Sequence, residues 1–147
     1  MVATEEEIRE MLNILDQYRY RAEMMGQQLG VLTTSEQELG IAWDFLEHFP
    51  EVKKGSKLLI PIGGGVMVSA KVERADKVLT AVGNDLHVEL DPKDAAQRIG
   101  ERRDRVREMM QQMRAAIEQV EAQAQALSEQ AEAAFQGLQA SREGTDG

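Results

Sequence analysis

Few residues in this chain have the types and spacing that could do chemistry. Gly63-Gly64-Gly65 is the nearest thing to a phosphate loop. A phosphate-cradling loop runs on into Gly-Lys-Ser/Thr and a helix, so that backbone N–H groups and a lysine surround the anion. Here Val66, Met67 and Val68 follow in strand-like alternation, so the context for nucleotide binding is missing. His48 and His87 are far apart and lack the paired spacing of a helical metal site; His87 reads as the outward residue of a strand. Glu5-Glu6-Glu7 brings carboxylates together, as acid–base chemistry requires, but an acidic triplet at a helix start is ordinarily a solvated face that suits the helix dipole. Arg102, Arg103, Arg105 and Arg107 form the basic cluster. Glu101, Asp104 and Glu108 interleave with it, which makes it a salt-bridged surface or a partner contact. No catalytic constellation, metal set or cofactor loop emerges. The expectation is a protein that is not an enzyme and uses no cofactor.

Composition narrows the classes further. The 147 residues carry 17 basic and 26 acidic side chains, a net charge of −9. That balance argues against nucleic-acid partners, which need clustered positive charge, and against a polybasic membrane-surface segment. There is no cysteine, which excludes disulfides, thiol catalysis and cysteine-based zinc sites. The longest strongly apolar stretch, Leu58 to Ile62, contains a proline and is far too short to span a bilayer. The polar, acidic start of the chain is no signal peptide, so the expected setting is intracellular. Aromatic residues are only 4%, few for a packed globular core, so an elongated module has to be considered.

Two heptads supply that module. Ile8, Met11, Leu15, Tyr18, Ala22, Met25, Leu29, Leu32, Glu36, Leu39, Trp43 and Leu46 follow steps of three and four without a slip, and eleven of the twelve are apolar. Ile99, Arg103, Val106, Met110, Met113, Ile117, Val120, Ala124, Leu127, Ala131, Ala134 and Leu138 do the same, again with one polar member. A 3.5-residue average is a coiled-coil seam. Thr4 with Glu7 has capping-box spacing, and Pro50 disfavours helix at Phe49. Asp91-Pro92 reads as an N-cap and first helical position. The spacing therefore predicts helices over 4–48 and 92–141, with 142–147 a frayed tail. Gly26 and Gly30 mark a close-approach or flexible point within the first helix, but the seam keeps its register through them.

Residues 51–90 have a different rhythm. Val66, Val68, Ala70 and Val72 alternate with Met67, Ser69 and Lys71, and Leu86, Val88 and Leu90 alternate with His87 and Glu89. Period two means strands. Gly63-Gly64-Gly65 and Gly83-Asn84-Asp85 are the turn residues that accept positive φ. Two hairpins are predicted, about Lys57–Val72 and Lys77–Leu90. The fold class is α+β, mainly α: a long antiparallel two-helix coiled coil with two β-hairpins between the helices. A two-stranded hairpin is marginal alone, and exposed edges recruit other strands. Leu59, Ile60, Ile62, Val66, Val68, Val78, Val82, Leu86 and Val88 are thus candidate assembly residues, with hairpins from several subunits closing a shared β-barrel body. Segment charge agrees: residues 1–48 carry −7, 49–91 carry 0 and 92–147 carry −2. The far end of the helix pair joins seam residues Ile8, Met11, Leu15, Leu127 and Leu138 to the off-seam Val2, Leu12, Ile14, Tyr20 and Phe135. Small seam residues Ala124, Ala131 and Ala134 imply a loosely held end there, although alanine seams also permit close helix approach.

A long heptad helix, two hairpins and a second long heptad helix resemble the α-class subunit of prefoldin. Leu58-Leu59-Ile60-Pro61-Ile62-Gly63-Gly64-Gly65-Val66-Met67-Val68 is similar to that family's first hairpin. Lys77-Val78-Leu79-Thr80-Ala81-Val82-Gly83 and Leu86-His87-Val88-Glu89 resemble its second. Two hairpins distinguish the α class from the β class. The resemblance implies a cytoplasmic, ATP-independent holding chaperone, a hexamer of two α-class and four β-class subunits with a β-barrel body and six coiled-coil arms. It implies that unfolded client proteins are gripped at the arm tips and passed to a group II chaperonin. On this chain the tip residues would be Ile8, Met11, Leu12, Ile14, Leu15, Leu127, Phe135 and Leu138. The alternative is a structural or tethering coiled coil whose tip binds one folded partner. The range of unfolded proteins that compete for the tip separates the two readings.

Overall fold

The computed structural model describes residues 2–145. Helix α1 spans Glu5–His48, a single 3-10 turn follows at Phe49–Glu51, strands β1 (Lys57–Gly63), β2 (Val66–Lys71), β3 (Val78–Gly83) and β4 (Leu86–Leu90) come next, and helix α2 spans Pro92–Thr145. The chain divides into two compact units. One holds α1 up to Thr33 and α2 from Glu108; the other is Thr34–Arg107.

Local chemistry accounts for the helix ends. At the start of α1 the Thr4 backbone N–H donates to Glu7 Oε2 at 2.8 Å while the Glu7 N–H donates to Thr4 Oγ1 at 3.2 Å, a reciprocal capping box. At its far end Pro50 turns the chain into the 3-10 segment, with Phe49 buried and its ring packed against that of Phe45 in a tilted pair, 5.3 Å between ring centroids. Asp91 opens α2, its carbonyl accepting from the Ala95 N–H. Helix α2 does not end at residue 141, where the sequence placed the start of a frayed tail over 142–147. Arg142 pairs with Glu5 and Thr145 Oγ1 donates to the Ser141 carbonyl, so the helix continues to Thr145. Asp146 and Gly147 lie outside the described residues.

Helix α1 runs unbroken through Gly26 and Gly30, and a Cβ added at either would meet nothing within 4 Å. Neither is therefore a close-approach point. Every seam position of both heptads is buried or half-buried. In the first unit Ile8, Leu15, Met110, Val120 and Ala131 are the buried members. In the second, Leu39, Phe49, Val72, Ala95 and Ala96 form the core.

The strands make two separate antiparallel pairs, β1 with β2 and β3 with β4. Ile60 faces Val68 in the first and Thr80 faces Val88 in the second. Both ladders slip by one residue just before the turn, between Pro61 and Gly63 and between Ala81 and Gly83. Two runs of three turn residues adopt positive φ: Gly63, Gly64 and Gly65 in one hairpin and Gly83, Asn84 and Asp85 in the other supply six such angles between +48° and +114°. The two hairpins are the same device offset by 20 positions, which aligns Leu59 with Leu79, Gly63 with Gly83 and Val66 with Leu86.

Candidate functional site

Two apolar surfaces stand out, one in each unit. In the first unit α1 and α2 lie antiparallel, as the Glu5–Arg142 pair and the shared linings of two grooves require. A groove of about 460 Å³ runs along Val2, Ala3, Glu7, Glu10, Met11 and Ile14. A second, of about 310 Å³, is lined by Ile14 and Tyr18 of α1 and by Gln123, Ala126, Leu127 and Gln130 of α2. Ile14 belongs to both, so the two join into one mainly apolar track, which Glu7, Glu10, Gln123 and Gln130 also line. Where Ala22 meets Ala124 the seam opens into a third groove of about 450 Å³, since two small side chains leave the gap between the helices unfilled.

The eight residues expected to grip a client separate into three groups. Leu12, Ile14 and Phe135 are exposed. Met11, Leu127 and Leu138 are half-buried. Ile8 and Leu15 are only 7% and 4% exposed; they belong to the closed seam, and a client reaches them only if the helices part. Val2 and Tyr20 add exposed apolar surface beside them.

In the second unit the hairpins carry the apolar surface. Leu59, Ile60, Ile62, Val66, Val68 and Leu86 are exposed, whereas Val78, Val82 and Val88 are half-buried. The first hairpin is therefore the barer of the two. A groove of about 570 Å³ separates β3 from the helices, lined by Ile41, Ala42, Phe45, Leu46 and Ile99 opposite Val78, Leu79, Thr80 and Ala81. Four consecutive strand residues line it. Successive side chains point to opposite faces, so the groove follows the edge of β3. Leu79, 69% exposed, matches the 68% of Leu59 at the equivalent place. Leu79 was not among the candidate assembly residues, and the 20-residue offset between the hairpins is the signal that pairs it with Leu59.

Charged side chains position these surfaces. Arg74 bonds Asp76 and reaches Glu89 on β4, while Lys77 donates to Asp91 at 2.9 Å and so ties the start of β3 to the start of α2. The hydrogen bond to Asp91 raises the Lys77 pKa above its usual value. Near the end of α1, the bond from the ring of His48 to the Asp44 carbonyl raises the imidazole pKa above 6.5. Across the seam Arg103 Nε donates to Glu36 Oε1 at 2.7 Å and Arg107 Nε to the same oxygen at 3.0 Å. The arginine cluster was open to either a surface or a partner role; two of its members are spent inside the helix pair.

Among the described residues no helix is long and apolar enough to cross a membrane. Comparison with known proteins bears on what the surfaces are for. A family model described as "Prefoldin subunit" matches residues 4–137. A prefoldin subunit alpha from Methanothrix thermoacetophila is 27% identical over 104 residues, which cover 71% of this chain and 68% of the relative. Another from Methanoculleus marisnigri is 34% identical over 103 residues, covering 70% and 66%. The matches thus span about two thirds of these relatives' length. A cryo-EM structure of filamentous PFD from Methanocaldococcus jannaschii shares the fold, with a TM-score of 0.65 at 24% identity over 77% of this chain and 93% of that one. With two helices, two hairpins and a family model that spans all but the chain's ends, the chain belongs to the prefoldin family, as an α-class subunit.

Proposed function

We propose that this chain is the α-class subunit of an ATP-independent holding chaperone, and that it grips unfolded proteins at the end of the helix pair where α1 begins and α2 finishes. The family is not an enzyme family, and the work assigned here is binding without turnover. The observation that carries the reading is the apolar track joined at Ile14, with Leu12 and Phe135 exposed beside it. A shallow apolar track holds an unfolded segment weakly. Several such ends on one assembly make later contacts intramolecular and raise avidity by ~10²-fold or more. Preferential binding lowers the free concentration of unfolded chains by mass action.

Assembly with other prefoldin subunits follows from the family. The partners we assign are β-class subunits, in a hexamer of two α-class and four β-class chains. The bare faces of the first hairpin and the open edge of β3 would be the surfaces that close a common β-barrel. The receiving partner for held clients would be a group II chaperonin, in the cytoplasm. Neither nucleic acid nor membrane has a part in this scheme.

The test is a triple substitution, Leu12→Glu, Ile14→Glu and Phe135→Glu, in the assembled complex. All three positions are exposed, so helix content and complex mass are expected to stay unchanged while suppression of client aggregation is lost. A variant complex that protects denatured clients as well as the native one would overturn the site.

A further inference from the structure

Of the twenty-four seam positions two are charged, Glu36 and Arg103, and they meet each other. Arg103 and Arg107 both donate to one oxygen of Glu36, whose side chain is only 15% exposed. Gly40, one turn on from Glu36, is buried, and a Cβ there would stand 2.8 Å from a guanidinium nitrogen of Arg103. The helix is notched to admit that guanidinium. The remaining seam layers are apolar, and one of them, Ala22 with Ala124, is underfilled.

These layers differ in what can replace them. An apolar segment of an unfolded chain that takes the place of α2 against Ile8, Met11, Leu15 or Leu29 exchanges one apolar contact for another, with little change in buried apolar area. At Glu36 the same segment brings no donor. It would cover a carboxylate and leave it unpaired, which is among the costlier changes a protein interior can suffer. Repulsion of the wrong occupant is how specificity is commonly secured.

We propose that Glu36, held by Arg103 and Arg107 over the Gly40 notch, is a stop that limits how far along the seam an unfolded client can exchange for the partner helix. The stop presupposes the client site proposed above. Its three side chains are positioning residues, since they touch no client; they set the length of seam that is offered.

Amide hydrogen exchange on the assembled complex, with and without reduced, carboxymethylated lactalbumin as a permanently unfolded probe, tests this. In the native complex the probe alters exchange within residues 8–33 and 110–138 and leaves 36–48 protected. Glu36→Leu/Arg103→Leu removes both charges and leaves an apolar layer, a replacement that proteins commonly accept without loss of stability. In that variant the probe-dependent loss of protection spreads into 36–46. Arg103→Lys, which keeps a cation in the layer, holds the native boundary. Spread in the native complex, or an unmoved boundary in the double variant, overturns the stop while leaving the client site standing. If the probe alters exchange nowhere and the native complex fails to suppress aggregation, the client site itself is wrong and the stop falls with it.

Discussion

Glu36 shows how much one side chain contributes to this pair of helices. The hydrogen bond from Arg103, joined by that from Arg107, holds its carboxyl below the ordinary 4.5 although partial burial works the other way. A carboxyl depressed by folding stabilises the native state above its unfolded pKa, and that contribution disappears as pH falls through the folded value. Glu36→Gln should therefore lower the thermal midpoint at pH 7, and the gap to the native chain should narrow as pH falls below the ordinary carboxyl value and through the depressed folded one. A gap that does not change with pH, read by circular dichroism, would mean that the ion pair is idle. Glycines along α1 make a second test. Gly26→Ala should stabilise by about 1 kcal/mol, because alanine is the better helix former and the added methyl meets open space. Gly40→Ala gains the same propensity but makes the end of the Arg103 side chain shift, and that guanidinium is the one that donates to Glu36. Urea unfolding should show it less stable than Gly26→Ala, by what the displaced Arg103–Glu36 bond contributed; parity would mean that the notch is unnecessary. The sequence showed Glu36 and Arg103 as the odd members of their heptads, but gave no distance between them, since they are 67 positions apart.

At the scale of elements the hairpins were the most legible part. Alternation and a glycine-centred turn are properties of a dozen consecutive residues, and both strands and turns came out where those signals lay. The turns also make a prediction. Gly65 sits at φ +77° and Asp85 at φ +59° at equivalent places in the two hairpins. Gly65→Val puts a branched side chain into left-handed backbone, at a cost of about 1–2 kcal/mol or more. It should speed exchange of the β1–β2 amides and weaken assembly at a given concentration, whereas Asp85→Gly should leave the second hairpin as protected or more so. Equal effects from the two would show that the turns do not limit hairpin stability. The end of α2 was misjudged from composition. Ser141 to Thr145 look polar and free in the sequence, but Arg142 pairs with Glu5, on a helix that begins 137 positions earlier.

For the molecule as a whole the governing fact is apolar β surface that its own chain leaves uncovered. Leu59, Ile62 and Leu79 are more than half exposed, and each hairpin is a two-stranded sheet with unpaired edges. Such ribbons are marginal alone and recruit other strands. Leu59→Glu with Leu79→Glu should keep helix content near the native value but abolish the proposed mixed complex with a β-class partner, as read by native mass measurement. A complex of native mass would place the interface elsewhere. Heptad spacing, the capping box and the turn glycines determined the order and type of the two long helices and the four strands, because period and φ preference act between near neighbours in the chain. Only tertiary structure decided which charges meet across the seam, which of the residues proposed to hold a client lie sealed within it, and that β3 stands across a groove from Ile41, Phe45 and Ile99 while the first hairpin is bare. Those outcomes depend on which distant side chains pack together, and a local pattern carries no information about the far side of a contact.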